Sequence, residues 1–140
     1  MDKKIKKKRI LVDMSATLLH HGHIRLLKKA SKFGNVIVGL TSDNDLKKFK
    51  GYTPELSYLQ RKEIISSIKY VKEVVKVNFH TDKNDLRKYK IDLLFHGNDL
   101  KNIIDKNKIK ILKRTKNISS SLLRKKSYYI YKSLIKNEKR

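Results

Sequence analysis

The chain has 140 residues, with 36 Lys and Arg against 13 Asp and Glu, a formal net charge of +23 and no cysteine. That length is the length of one domain with one core, and the lack of cysteine excludes disulfides, thiolate chemistry and Cys-based zinc sites. No apolar run reaches the roughly eighteen residues of a transmembrane helix, and the basic start lacks a signal-peptide core, so a soluble, cytoplasmic protein is expected. A field of this size attracts nucleic acid, anionic lipid or phosphorylated metabolites. The lysines are spread over every segment instead of alternating with aromatics on one face. They are therefore read as solvated surface, with the basic ends, 1–8 and 124–140, best suited to an anionic partner.

Taken in chain order, Arg9-Ile10-Leu11-Val12 reads as a buried parallel strand, after which Ile24, Leu27, Ala30 and Ser31 recur at helical spacing up to Gly34. Val36 to Leu40 is a second strand, ending in the polar turn Thr41-Ser42-Asp43-Asn44, and Leu46 to Pro54 is expected to be loop. Ser57-Tyr58-Leu59-Gln60 reads as a capping box opening a helix that carries Ile64, Ile65 and Ile68. Val71 to Val77 gives a third strand, Asp82 to Tyr89 a short helix, and Ile91 to Phe95 a fourth strand ending at His96-Gly97-Asn98-Asp99. Lys108 to Leu112 is the fifth strand, and Ser119 starts a terminal helix. Strands alternating with helices predict an α/β, Rossmann-like three-layer fold around a mostly parallel five-stranded sheet. Ligands bind such sheets at the carboxyl ends of the strands.

The polar groups that follow the strands, 15–23, 41–43, 96–99 and 114–121, should therefore converge on one site. His20, Gly22 and His23 fall at the start of the first helix. Unpaired N–H groups and the positive end of the helix dipole attract phosphate there, and Gly22 lets a phosphate chain approach the backbone. This junction is where a nucleoside triphosphate is expected.

Four blocks in order carry a resemblance: Leu18-Leu19-His20-His21-Gly22-His23, Ser57 to Ile64, His96-Gly97-Asn98-Asp99, and Arg114 to Ser120. Over roughly residues 9–123, between a basic N-terminal extension (1–8) and a basic helical C-terminal extension (124–140), the chain resembles the His-x-Gly-His nucleotidyltransferases. Within that superfamily it is similar to the glycerol-3-phosphate cytidylyltransferases. The resemblance implies that a phosphate oxygen of an acceptor attacks the α-phosphorus of CTP, that Mg²⁺ accompanies the nucleotide, and that the enzyme is a homodimer. It implies that His20 and His23 stabilise transition-state charge and that Lys50 meets the α-phosphate and the acceptor. It further places Arg61 and Arg114 on the triphosphate, and Met14, Ser15, Ala16 and Gly22 along the nucleotide. Thr115, Ile118, Ser119 and Ser120 would meet phosphate, although capping alone also explains a serine at a helix start. Gly97, Asn98 and Asp99 match a turn that reads cytosine and ribose, with Asn98 in place of an aspartate. No metal ligand is assigned.

Two departures bear on the acceptor. Thr17 stands where the glycerol-phosphate enzymes carry an aspartate, and Asp13-Met14-Ser15-Ala16 is similar to cytidylyltransferases acting on phosphonates. Glycerol 3-phosphate is the first acceptor expected, followed by 2-aminoethylphosphonate and phosphocholine-like compounds. The alternatives are an adenylyltransferase using ATP and a basic nucleic-acid-binding domain without catalysis.

Overall fold

A computed structural model describes residues 5–96 and 106–139. Five strands form one sheet: β1 (Arg9–Met14), β2 (Asn35–Thr41), β3 (Val71–Val77), β4 (Leu93–His96) and β5 (Ile109–Ile111). Their order is β3-β2-β1-β4-β5, and every neighbouring pair is parallel. The helices are α1 (His21–Ser31), α2 (Asp43–Lys50), α3 (Tyr58–Ser66), α4 (Lys83–Lys88) and α5 (Ser120–Glu138).

Alternation along the central strands divides the core between two faces, because successive side chains of a strand point to opposite sides. Ile10 and Val12 of β1 join Val36, Val38 and Leu40 of β2, closed by Leu27 and Ala30 of α1 and Ile65 of α3. Leu11 and Ile37 face the other way and meet Val75, Val77, Leu94 and Leu86 of α4. Both faces of the sheet are therefore dry, as all-parallel sheets require. The order reverses direction between β1 and β4, so the crevice beyond their carboxyl ends is the switch point where such sheets bind ligands.

The expected loop at 46–54 is instead largely helix. Ser42 caps α2 by accepting the N–H of Asp45, and Asp43 and Asp45 lie at the positive end of the helix while Lys47, Lys48 and Lys50 lie at its negative end. Gly51, at φ 76°, closes it in the left-handed conformation that glycine adopts without strain. Leu46 alone of its residues is buried. One buried side chain leaves no apolar period to read.

The other boundaries lie within a few residues of expectation. The capping box of α3 forms in both directions: Ser57 Oγ accepts the N–H of Gln60 and Gln60 Oε1 accepts the N–H of Ser57. No helix among the described residues is long and apolar enough to cross a membrane.

Candidate active site

A cavity of about 870 Å³ opens beyond the carboxyl ends of the strands. His20, Gly22 and His23 line it from the start of α1, and the local geometry there is tightly specified. His20 is the N-cap: its Nδ1 accepts the N–H of Gly22 at 3.1 Å, while His23 Nδ1 accepts the N–H of His20 at 3.1 Å. The result is a capping box built from two imidazoles. With each Nδ1 occupied as an acceptor, the proton of each neutral ring resides on Nε2, which remains as a donor.

Burial is the main cause that holds His23 down to about 4, with His20 as a neighbouring positive charge adding to it. His20 is lowered by burial and then by His21. At neutral pH, His23 in the unliganded protein is therefore an uncharged N–H donor. A Cβ at Gly22 would come within 2.8 Å of His20 Cε1 and 2.9 Å of its Nδ1. Glycine is thus required here to seat the His20 ring.

Met14, Ser15 and Ala16 line the same cavity directly after β1. Ala16 is held at φ 45°, a conformation rare for a residue with a side chain and found where surrounding contacts enforce it. One source of that enforcement is Arg61. Its Nη1 donates to Ser15 O at 2.7 Å, its Nη2 to Thr41 O at 3.0 Å and Asp43 Oδ1 at 2.6 Å, and its Nε to Leu56 O at 3.1 Å. The side chain is 1% exposed and does not line the cavity. Against the expectation that Arg61 meets the triphosphate, its guanidinium turns inward here, to the carbonyls of Ser15, Thr41 and Leu56 and the carboxylate of Asp43. Arg61 braces the Ser15 loop from below.

Arg114, Thr115 and Ile118 line the cavity from the segment after β5, and Ser119 and Ser120 from the start of α5. Both of these serine hydroxyls are engaged within the protein. Ser119 Oγ caps α5 by accepting the N–H of Leu122 at 3.0 Å. Ser120 Oγ donates to Leu18 O at 2.9 Å and accepts the N–H of Leu18 at 3.2 Å. What the start of α5 can offer an anion is therefore the Ser119 O–H, whose oxygen serves the cap only as an acceptor, together with backbone N–H groups. A second tie is Arg124, which donates to both Glu55 oxygens and to Thr17 Oγ1 at 3.2 Å.

Lys50, the last residue of α2, reaches the cavity with its Nζ 6.0 Å from the centre of the Phe79 ring. Gly97, Asn98 and Asp99 lie outside the described residues. Every other expected site residue except Arg61 lines this one cavity.

The sequence assigns no role to the segment after β3 and none to Asp13 by itself, although Asp13-Met14-Ser15-Ala16 carries part of the resemblance. Asn78, Phe79, His80 and Thr81 form a wall, and Asp13 faces the interior with its carboxylate bonded to Thr81 Oγ1 at 2.9 Å and His96 Nδ1 at 2.9 Å. A lone aspartate closing an apolar strand at its carboxyl end was the available signal. Among the described residues no group of three or more His, Cys, Asp or Glu side chains is placed to hold a metal.

Residues 17–126 match the family model described as cytidylyltransferase-like. The chain is 33% identical to glycerol-3-phosphate cytidylyltransferase of Staphylococcus aureus (strain NCTC 8325 / PS 47), over 86% of this chain and 96% of that protein. It is 30% identical to the protein of the same name from Bacillus subtilis (strain 168), over 84% and 95%. Ethanolamine-phosphate cytidylyltransferase of Arabidopsis thaliana is 29% identical over 69% of this chain and 24% of its own length. In fold, the chain is similar to the crystal structure of the lipopolysaccharide core biosynthesis protein from Thermoplasma volcanium GSS1. The TM-score is 0.63 at 23% identity, covering 79% of this chain and 98% of the other.

Proposed function

We propose that this chain, which belongs to the cytidylyltransferase-like family of nucleotidyltransferases, transfers CMP from CTP to a small phosphate- or phosphonate-bearing acceptor and releases pyrophosphate. The observation that carries the reading is the pair of imidazoles locked at the start of α1 in one cavity with Lys50 and Arg114. An oxygen of the acceptor forms a bond to the α-phosphorus as the bond from that phosphorus to the bridging oxygen breaks, and the electron pair leaves with pyrophosphate. Such a displacement is accelerated by positioning and by donors aimed at the phosphoryl oxygens where charge gathers.

In this reading the Nε2–H groups of His20 and His23 donate to the α-phosphoryl oxygens, and the positive end of the α1 dipole with the N–H groups at the start of α5 receives the remaining phosphate charge. Arg114 meets the leaving phosphates with its guanidinium fork, and Lys50 draws the acceptor's phosphate or phosphonate toward the α-phosphorus. The residues present suit Mg²⁺ carried in by the triphosphate, since Mg²⁺ is commonly bound through substrate phosphates and retained waters, and it would supply neutralisation of the leaving pyrophosphate. Homodimerisation belongs to the same proposal and rests on family likeness.

CTP is preferred over ATP because the named relatives are cytidylyltransferases. Glycerol 3-phosphate and phosphoethanolamine head the acceptors to be tried because of the names of those relatives. The test is pyrophosphate release, with ³¹P NMR of the product, for CTP and ATP against glycerol 3-phosphate, phosphoethanolamine, phosphocholine and 2-aminoethylphosphonate, with Mg²⁺ present. A new diphosphate-type linkage from CTP supports the reading. Turnover with ATP alone, or steeply salt-dependent nucleic-acid binding by folded protein with no transfer at all, overturns it.

A further inference from the structure

We propose that the amino-terminal edge of the sheet carries a second anion site, which takes a linear chain of three or more phosphates and lies apart from the catalytic cavity. The inference goes beyond cytidylyl transfer and does not depend on it. A cavity of about 640 Å³ opens at that edge, within the size range of small-ligand pockets. Eight of the eleven described residues that line it are Lys or Arg, against 36 of 140 in the whole chain and five of the twenty-six described residues around the catalytic cavity. A surface that is evenly lysine-rich does not gather its charge in this way.

Topology builds the cluster from separate parts of the chain. Strands β1, β4 and β5 are neighbours and run parallel, so the residues that precede them share one edge of the sheet. Lys8, Asp92 and Lys108 hold those positions. Lys6 and Lys7 come from the lead-in to β1, and α4 with its exit adds Lys83, Arg87 and Lys90. Lys83 and Arg87 are four positions apart, on one face of that helix. The buried Leu86 and Ile91 are the apolar members of the lining. The catalytic cavity lies at the other end of β1, a strand of six residues rising about 3.3 Å each, well beyond the Debye length of about 8 Å in physiological salt. The cluster is therefore not an extension of the catalytic field.

Most of this charge is not neutralised within the protein. Arg9 is engaged, its Nε donating to Tyr89 O at 3.0 Å and its Nη2 to Glu73 Oε2 at 3.1 Å. Asp92, the one carboxylate among the described lining residues, accepts the backbone N–H of Arg9 at 2.7 Å and so fixes where β1 begins. The other seven cations form no ion pair among the described residues. Like charges around one cavity repel, and a bound polyanion relieves that repulsion. A single phosphate, with about two charges at most, answers few of them, whereas linked phosphates present charge in a row. Six of the eight cations are lysines, point charges on flexible stems that follow a phosphate chain without dictating its shape. No aromatic side chain is among the described lining residues, so no base finds a stacking platform, which favours an oligophosphate over single-stranded nucleic acid. Inorganic oligophosphate and the tail of a free nucleotide share this chemistry.

The experiment titrates inorganic tripolyphosphate into the full chain at physiological salt and follows backbone amides by NMR. Shifts are expected at residues 83–92, whether or not residues 15–23 and 114–121 also respond. In the double variant Arg87→Gln and Lys90→Asn, affinity read at 83–92 is expected to fall by at least about tenfold, the scale of removing two charged contacts to phosphate, with any response at 15–23 unchanged. Lys90 sits at φ 54°, a conformation that asparagine accepts more readily than lysine, so this substitution removes a charge without a backbone penalty. Localising the shifts in the natural protein needs no variant and stands even if the double variant folds poorly. A parallel titration with CTP distinguishes the sources: matching shifts at 83–92 assign the site to nucleotide tails, and shifts with tripolyphosphate alone assign it to inorganic oligophosphate. Shifts confined to 15–23 and 114–121, or an affinity at 83–92 that the double variant leaves unchanged, overturn the proposal. A single-stranded oligonucleotide that binds at 83–92 more tightly than tripolyphosphate overturns it in favour of nucleic acid.

Discussion

The imidazoles of His20 and His23 stand 3.9 Å apart between ring centres, each with its Nδ1 accepting a backbone N–H of the turn that begins α1. The cap and the proposed chemistry thus use opposite nitrogens of the same rings. Capping selects the tautomer, and the tautomer places a donor on Nε2.

If those donors act mainly on transition-state charge, removing one lowers turnover more than binding. His23→Ala is expected to reduce kcat by about 100- to 1000-fold, the effect typical of losing one oxyanion donor, with the KM for CTP changed by no more than about threefold. Steady-state kinetics decide the matter. A variant that turns over normally removes His23 from the mechanism.

The depressed value of His23 also makes a stability prediction. The unfolded chain takes up a proton near the ordinary value of 6.5, whereas the folded ring resists it down to about 4. Above 6.5 neither state carries the proton, so the full stability is present; as pH falls from 6.5 toward 4 the unfolded state gains a proton the native state lacks, and stability declines. Protonation also removes the lone pair with which Nδ1 accepts the His20 N–H. Thermal melts should therefore show a steeper loss across this window for the natural protein than for His23→Gln, and NMR should find the His23 ring still neutral at about pH 5. Identical pH profiles for the two proteins would remove the assignment.

Gly22→Ala tests the steric side of the same arrangement. The added Cβ would crowd His20 Cε1 and Nδ1 and come within 3.3 Å of Ile118 Cγ2, so the His20 ring must shift from its cap. A stability loss of about 1–3 kcal/mol is expected together with a fall in kcat, since one displacement affects both. Normal activity in a destabilised variant would show that the His20 cap and catalysis are separable.

Arg61 predicts a different pattern. Its buried guanidinium serves four acceptors, the carbonyls of Ser15, Thr41 and Leu56 and the carboxylate of Asp43, and an ammonium cannot reproduce that fork. Arg61→Lys should destabilise the chain by about 3 kcal/mol in urea unfolding. The salt dependence of CTP binding should stay as it was, because no phosphate contact has been removed. A flatter salt slope with unchanged stability would return Arg61 to the triphosphate.

Much of the fold was legible because the signals are local. The Val71–Val77 strand, the Ser57–Gln60 capping box and the Ser119 helix start depend on neighbours within a few positions, and each formed where its residues indicated. Helix α2 escaped notice because its stability comes from Ser42, Gly51 and flanking charges instead of from an apolar stripe. The gathering of His20, His23 and Arg114 at the strand ends followed from topology, since in a parallel α/β sheet every strand delivers its following segment to the same edge, whereas Lys50 arrives there from the end of α2.

Periodicity, caps and the order of motifs were determined by the sequence itself, because they express the geometry of single helices and strands. Tertiary structure decided which polar side chains face the cavity and which are used up inside the protein. Arg61 meets Ser15 across 46 positions, Ser120 meets Leu18 across 102, and Asp13 meets Thr81 and His96 across 68 and 83. A buried donor or acceptor must find a partner wherever the chain brings one, and that partner is known only when the whole sheet has closed around it.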